Sequence, residues 1–258
     1  MTTTFPFTSA LVTGASSGIG EAMAEVLGEA GIPTVVVARR SDRLQELADR
    51  FAHFEVLVAD LGTAAGMAAV VARVGDSALP IDLVVNNAGF GTSGDFITLD
   101  PDRLAAEVHL NIEALTRISH AALAAMAPRG RGYLLNVSSV ASFQPAPKLA
   151  VYAATKAYVT NLSESLHEEM RGTGVHVTAL CPGLTRTEFQ SVSNTDSYSS
   201  QYPTFAWLEA REVAEAALHD VAKGKALSVP GAIYKGMVTG SSMMPRRLAR
   251  RLSGLVQR

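Results

Sequence analysis

Six short runs of apolar and β-branched residues recur along the chain with helix-like segments between them: Ala10–Thr13, Thr34–Ala38, Phe54–Ala59, Ile81–Val85, Tyr133–Val137 and Val175–Leu180. Strands separated by helices return in the same direction, so this order specifies a parallel sheet with right-handed crossovers. The runs are apolar nearly throughout instead of alternating, as in strands covered on both faces. The predicted fold class is therefore α/β, a doubly wound parallel sheet with helices on both sides. Start signals agree: Asp100 precedes Pro101 as an N-cap, and Ser41 and Thr63 can cap the helices after the second and third strands. The regular spacing across 258 residues, without linker or internal repeat, is read as a single domain, 1–258.

Composition narrows the function. Hydrophobic residues make up 48% and charged ones 18%, which suits a globular core and excludes a disordered chain. A formal net charge of −2 argues against a nucleic-acid partner, since phosphate backbones are bound by a basic surplus. The one cysteine, Cys181, cannot form an internal disulfide; a reducing, cytoplasmic setting is expected, with Cys181 as packing. No run of about 18 uncharged apolar residues suggests a membrane span. The histidines form no H-x-x-x-H or Cys/His ligand pattern, so no metal is expected.

Directly after the first strand stands Thr13-Gly14-Ala15-Ser16-Ser17-Gly18-Ile19-Gly20, opening into a helical stretch. A glycine turn that starts a helix presents free backbone N–H groups and the positive dipole end to a phosphate. Glycines also let a pyrophosphate approach closely. This assigns Gly14, Ser16, Ser17, Gly18, Ile19 and Gly20 to a dinucleotide site.

Further along come Asn86-Asn87-Ala88-Gly89, Asn111, Ser139, Tyr152-Ala153-Ala154-Thr155-Lys156 and Pro182-Gly183 with Thr187. In type and order these residues resemble the motifs of the short-chain dehydrogenase/reductases: the glycine turn, N-N-A-G, the Asn-Ser-Tyr-Lys tetrad with its Y-x-x-x-K, and P-G-x-x-x-T. The resemblance runs from about Ser9 to Thr187; beyond it only the layout is similar. It implies a Rossmann fold, a nicotinamide cofactor, and carbonyl–alcohol interconversion with Tyr152 as acid/base. It further implies that Lys156 bonds the nicotinamide ribose, that Ser139 steadies the substrate oxygen and that Asn111 helps hold a water in the proton path. Cofactor contacts are implied at Asn87, Ala88, Gly89, Asn111, Tyr152, Lys156, Pro182, Gly183 and Thr187, and at Asp60 and Leu61 after the third strand.

Tyr152 and Lys156 are four apart on a helix and so share a face. A tyrosine ordinarily titrates near about 10, and a fixed ammonium would favour its phenolate, which is the expected purpose of the pair. His167, Glu168 and Glu169 are placed on that helix's exposed face. A nucleotide sensor on the same fold would not need the tetrad, and an epimerase-like relative would carry more chain.

The second strand ends Val37-Ala38-Arg39-Arg40. An NAD-dependent relative would hold an acid at Ala38; Arg39 instead suits a 2′-phosphate, so NADP is the expected cofactor, while Arg40 is read as a solvated helix start. Residues 188–208, polar but interleaved with Phe189, Tyr198, Tyr202, Phe205 and Trp207, are read as a substrate lid over an apolar or bulky small-molecule carbonyl or alcohol. The tail 245–258 forms a basic amphipathic pattern, with Arg246, Arg247, Arg250 and Arg251 opposite Leu248, Leu252 and Leu255. It is expected to dock on protein, in a homo-oligomer (dimer or tetramer), or to make peripheral membrane contact.

Overall fold

The computed structural model describes residues 5–194 and 203–243. In chain order the first half contains β1 (Ala10–Thr13), α1 (Gly18–Glu29), β2 (Thr34–Ala38), α2 (Ser41–Arg50), β3 (Phe54–Val58), α3 (Ala64–Val74), β4 (Leu83–Asn86) and α4 (Pro101–Val108). A π-helical turn, His109–Ala114, carries α4 on into α5 (Leu115–Met126), followed by β5 (Gly132–Val137), α6 (Ala150–Glu169) and β6 (Val175–Leu180). Two short strands, β7 (Thr185–Arg186) and β8 (Leu208–Glu209), pair with each other around α7 (Phe189–Val192). Then come α8 (Ala210–Ala222), β9 (Leu227–Ser228) and α9 (Ala232–Met243).

The main sheet has seven parallel strands in the order β3-β2-β1-β4-β5-β6-β9, a single doubly wound layer. β1 and β4 are fully buried, as their apolar runs require. β3 departs from that expectation: it is the edge strand, with Glu55 and Val58 exposed. The seventh strand, β9, was not predicted, because a two-residue ladder against Ala179 and Leu180 leaves no periodic signal.

Alternate strand residues feed two cores. On one face Ala10, Val12, Val36, Val85 and Leu135 meet Met23, Leu27, Val213 and Leu218 of α1 and α8. On the other, Leu11, Val35, Val84 and Leu134 meet Val70, Val74, Ile118 and Met126 of α3 and α5. Full burial contributes about 1.5–3 kcal/mol for each large side chain. An exposed ion pair such as Arg211–Glu29, 2.6 Å apart, adds at most about 1 kcal/mol. Apolar burial therefore holds these helices to the sheet.

Caps behave as read at two of three sites. Thr63 accepts from Gly66 N and Asp100 from Asp102 N, with Pro101 opening α4. Ser41 does not cap: it is already the first helical residue, and Arg40 occupies the cap position without a side-chain bond to the helix. His167 also differs from expectation, since its Nδ1 meets the Val177 carbonyl at 2.8 Å instead of facing solvent.

The C-terminal ends of β1 and β4 are joined by one hydroxyl. Thr13 Oγ1, wholly buried, donates to Val85 O at 3.2 Å and accepts from Asn87 N at 3.0 Å and Ala88 N at 3.1 Å. Thr13→Val keeps the shape and orphans those two donors. It is expected to cost about 2–3 kcal/mol in urea unfolding; native-like stability would show that the hydroxyl is dispensable.

Candidate functional site

The carboxyl ends of β1, β4, β5 and β6 open onto a cleft of about 1040 Å³ lined by all the expected residues except Gly20 and Asn111, which are buried behind its wall. This is the crevice in which doubly wound sheets bind ligands, at the point where strand order reverses between β1 and β4. The cleft is lined by Gly14, Ser17 and Ile19 at one end and by Ser139, Tyr152 and Lys156 at the other.

The glycine turn is held in a conformation that demands glycine. Gly14 (φ 67°) and Gly18 (φ 61°) are left-handed, where a side chain is strained. A Cβ on Gly14 would lie 2.7 Å from Asn87 Nδ2, and one on Gly20 would overlap the same amide and the Gly14 carbonyl oxygen. That amide donates to Thr13 O at 2.9 Å and Gly14 O at 3.2 Å. The side chain of Asn87 thus braces the turn, while the Ala88 and Gly89 backbone lines the cleft beside it. Ser17 caps α1 in position only, with no side-chain bond to the helix, so its hydroxyl and the first N–H groups of α1 remain available to a phosphate. This unused donor set, on a turn that no Cβ could enter, fits a dinucleotide.

At the end of β2 the two arginines differ. Arg39 is exposed, lines the cleft and has no hydrogen bond or ion pair among the described residues, leaving its guanidinium free for an anion. Arg40 is more than the solvated helix start expected. Its Nε donates to Ser16 Oγ at 3.1 Å, its Nη2 to Ser16 O at 3.0 Å, and its Nη1 to Glu188 at 2.9 Å. Asp60 Oδ1 accepts from Gly62 N at 2.9 Å, shaping the turn into α3, while Leu61 is buried beneath it; both line the cleft.

Tyr152 and Lys156 project from one face of α6, and Ser139 caps the short turn after β5 through a 3.1 Å bond from Ala141 N. Lys156, 5% exposed, donates to Val137 O at 2.8 Å, and its Nζ stands 5.7 Å from the Tyr152 ring centre. Burial pulls the ammonium down to about 8, with the fields of Cys181 and Glu107 opposing. The phenol moves opposite to the expectation: burial pushes Tyr152 up to about 12, the neighbouring Ser139 hydroxyl works against this, and Glu107 and Cys181 raise it further. Sequence spacing shows the shared face but not the depth of burial, and in this chain desolvation sets the direction of the shift.

Asn111 sits in the π-helical turn, where the widened backbone swings it toward the site. Its Nδ2 donates to Phe90 O at 2.8 Å and Thr155 Oγ1 at 3.1 Å, and its Oδ1 accepts from Phe90 N at 3.2 Å. The side chain therefore binds the segment after N-N-A-G to α6. Cys181 is buried, and burial pushes its thiol up to about 11, consistent with packing.

The far wall follows β6. Pro182 O accepts from Val140 N at 3.1 Å, Thr187 packs on Gly18, and Gly183 lies against the ring of Tyr234 so closely that a Cβ could not fit. Tyr234, which sequence reasoning missed, receives Leu184 N at 3.0 Å and donates to Ala206 O. Phe189 packs on Tyr152 with ring centres 5.5 Å apart, and Phe205 lines the outer rim. Of the expected lid, residues 195–202, including Tyr198 and Tyr202, lie outside the described residues, as does the tail 245–258. No described helix is long and apolar enough to cross a membrane.

A family model described as short chain dehydrogenase matches residues 8–197. An uncharacterised oxidoreductase of Staphylococcus epidermidis is 35% identical over 179 residues, covering 69% of this chain and 78% of the relative. A short-chain dehydrogenase from Sphingobium yanoikuyae, solved with NADPH, superposes with a TM-score of 0.81 at 33% identity, covering 92% of this chain and 96% of its own. The bulky-bulky ketone specific alcohol dehydrogenase from Comamonas testosteroni gives a TM-score of 0.77 at 31% identity, covering 92% and 95%.

The depressed Lys156 has a thermodynamic signature. Between about 8 and its ordinary 10.5 the unfolded chain binds a proton that the folded chain does not, so this group makes stability rise with pH across that window. Lys156→Met is expected to gain on the native protein below pH 8, by up to roughly 3 kcal/mol, with the gain shrinking toward pH 10. A difference independent of pH in denaturant titrations would mean that Lys156 keeps an ordinary pKa.

Proposed function

The chain belongs to the short-chain dehydrogenase family, and on that footing we propose an NADP(H)-dependent oxidoreductase that interconverts a ketone or aldehyde with its alcohol. The observation that carries this reading is the single cleft running from the braced glycine turn to Ser139, Tyr152 and Lys156. Gly14 to Gly20 and the N-terminus of α1 would hold the pyrophosphate, Arg39 the 2′-phosphate, and Asp60 and Leu61 the adenine side. Asn87 to Gly89, Asn111, Lys156, Pro182, Gly183 and Thr187 would frame the nicotinamide end. The bound cofactor supplies the hydride.

The chain's own residues manage the oxygen and the proton. Ser139 and Tyr152 hydroxyls donate to the substrate oxygen, which polarises the carbonyl and stabilises the charge that develops on it. Burial keeps the Tyr152 phenol protonated but makes it a weaker acid, so in reduction the proton leaves it only as far as the Lys156 ammonium stabilises the phenolate. Lys156 holds a positive charge under the ring, and Asn111 fixes the Phe90 backbone beside it. In this reading Arg40, already bound to Ser16, positions the turn while Arg39 selects the phosphate; a basic pair in place of an acid favours NADPH over NADH. The NADPH complex of the Sphingobium relative supports that choice.

Leu149, Leu184, Phe189, Phe205, Ile233 and Met237 make the substrate end of the cleft apolar, which favours a bulky apolar carbonyl compound. The ketone-specific Comamonas relative is in keeping with this. We place residues 188–208 as the lid over that end. Exposed apolar side chains at Phe96, Ile97 and Val108 support a homo-oligomer.

Tyr152→Phe removes only the phenolic oxygen and its proton. Assayed by NADPH oxidation against a panel of aryl and alicyclic ketones, it is expected to lose at least about a hundredfold in rate while NADPH affinity stays within about twofold. Retention of more than about a tenth of the native rate would leave Tyr152 without its role.

A further inference from the structure

The aromatic wall beside Tyr152 is fastened by a residue that lies outside the cleft. Phe189, from α7, packs its ring on Tyr152 with centres 5.5 Å apart, and both rings press on Gly91, where a Cβ would stand 3.0 Å from Tyr152 and 3.4 Å from Phe189. A helix of 4 residues cannot hold a ring in place by itself, because so short a segment barely completes one hydrogen-bonded turn. Its position is imposed by its neighbours.

At the start of α7, Phe189 N donates to Thr187 Oγ1 at 3.2 Å and Gln190 Nε2 to Thr185 O at 2.9 Å. At its end Ser193 is wholly buried; its Oγ accepts from Gly91 N at 3.0 Å and its carbonyl oxygen from Ser93 N at 3.2 Å. The shortest tie comes from α4. Arg103 Nη2 donates to Val192 O at 2.6 Å and reaches Gly91 O at 3.5 Å, while the guanidinium lies over the Phe90 ring, 5.1 Å from its centre. A charged donor makes the stronger class of hydrogen bond, and the planar fork lets one side chain hold carbonyls and a ring together. Arg103 itself does not line the cleft, so it acts on the site only through this wall.

We propose that Arg103 is a specificity-determining positioning residue, which holds Phe189 on Tyr152 so that the wall sorts the two substituents of an unsymmetrical ketone. The proposal rests on the carbonyl–alcohol reading and deepens it. A carbonyl oxygen bonded to Ser139 and Tyr152 brings one substituent of its carbon against Phe189, while the other turns toward Val140 and Leu149, which also line the cleft. A fixed aromatic ring on one side and an aliphatic surface on the other make the two orientations unequal in energy. The protein thereby chooses which face of the carbonyl receives hydride. The substrate class that fits is a prochiral ketone with one flat ring, laid on Phe189, and one smaller group. Residues 188–193, the start of the proposed lid, are its fixed seat.

The test reads the ratio of alcohol enantiomers from NADPH-driven reduction of propiophenone, a quantity that does not depend on how much of the enzyme is folded. Native protein is expected to favour one enantiomer by about tenfold or more, and Arg103→Met to bring the ratio within about threefold of unity. Arg103→Lys, which can still donate to Val192 O, should recover part of the selectivity. Phe189→Ala should erode it too, and adding Arg103→Met to Phe189→Ala should change the ratio by less than about twofold, because both act through one contact. NADPH affinity should stay within about twofold in every variant. Native selectivity in Arg103→Met, a native ratio near one, or independent effects of the two substitutions would overturn the proposal. A second arm needs no turnover: amide exchange at Gly91 and Ser93 should be slow in the native protein and faster in Arg103→Met, with β1 and β4 still protected. Unchanged exchange there would equally count against the seat. Absence of ketone reduction in the wild type would sink the carbonyl reading instead, with the exchange arm still deciding whether Arg103 holds α7.

Discussion

The side-chain amide of Asn87 is the contact on which the site depends. It donates to the carbonyls of Thr13 and Gly14, while the Thr13 hydroxyl collects the backbone N–H groups of Asn87 and Ala88. Two neighbouring strands that carry no covalent link near their ends are thereby locked at their carboxyl tips, where doubly wound sheets open a crevice. The lock also fixes the glycine turn: Gly14 and Gly20 must be glycine because the amide occupies the space a side chain would need. The helix N-terminus that follows is aimed into the cleft by this packing, not by its own propensity.

From that lock the bracing spreads across the cleft. Thr187 reaches back to Gly18, Arg40 bridges Ser16 to Glu188, and Pro182 receives Val140 N beside Ser139. Tyr234 pins the Pro-Gly turn and the Ala206 segment to the last described helix. Deeper in, Asn111 holds Phe90 against α6, and Ser138 Oγ donates to Lys156 O at 2.7 Å. The result is a rigid, dehydrated floor under Tyr152. Dehydration has an electrostatic consequence: it shifts the phenol and the ammonium toward their neutral forms.

Much of this was legible in the sequence because each motif is a local solution to a local constraint. The glycine turn, N-N-A-G and Y-x-x-x-K sit beside strands or within one helix, where spacing maps directly onto a shared face or a turn. What stayed hidden depends on long-range packing. Arg40 and Glu188 are 148 residues apart, and nothing in Arg39-Arg40 shows which guanidinium bends back to Ser16. Glu107 reads as an ordinary polar helix residue; its complete burial follows from α4 pressing on α6 and the 90–92 segment. The direction of the Tyr152 shift was misread because spacing reveals a neighbouring charge but not the loss of water around it. The Ser41 cap failed for a simpler reason, since α2 begins one residue earlier than the polar signal suggested.

The proposed role of Arg39 is to discriminate the phosphorylated dinucleotide in this cleft. Dissociation constants for NADPH and NADH, measured by calorimetry on the native protein and on Arg39→Ala, test it most directly. Native protein is expected to bind NADPH far more tightly than NADH, and Arg39→Ala to weaken NADPH by about ten- to a hundredfold while hardly changing NADH. Equal losses for both cofactors, or a native preference for NADH, would contradict it.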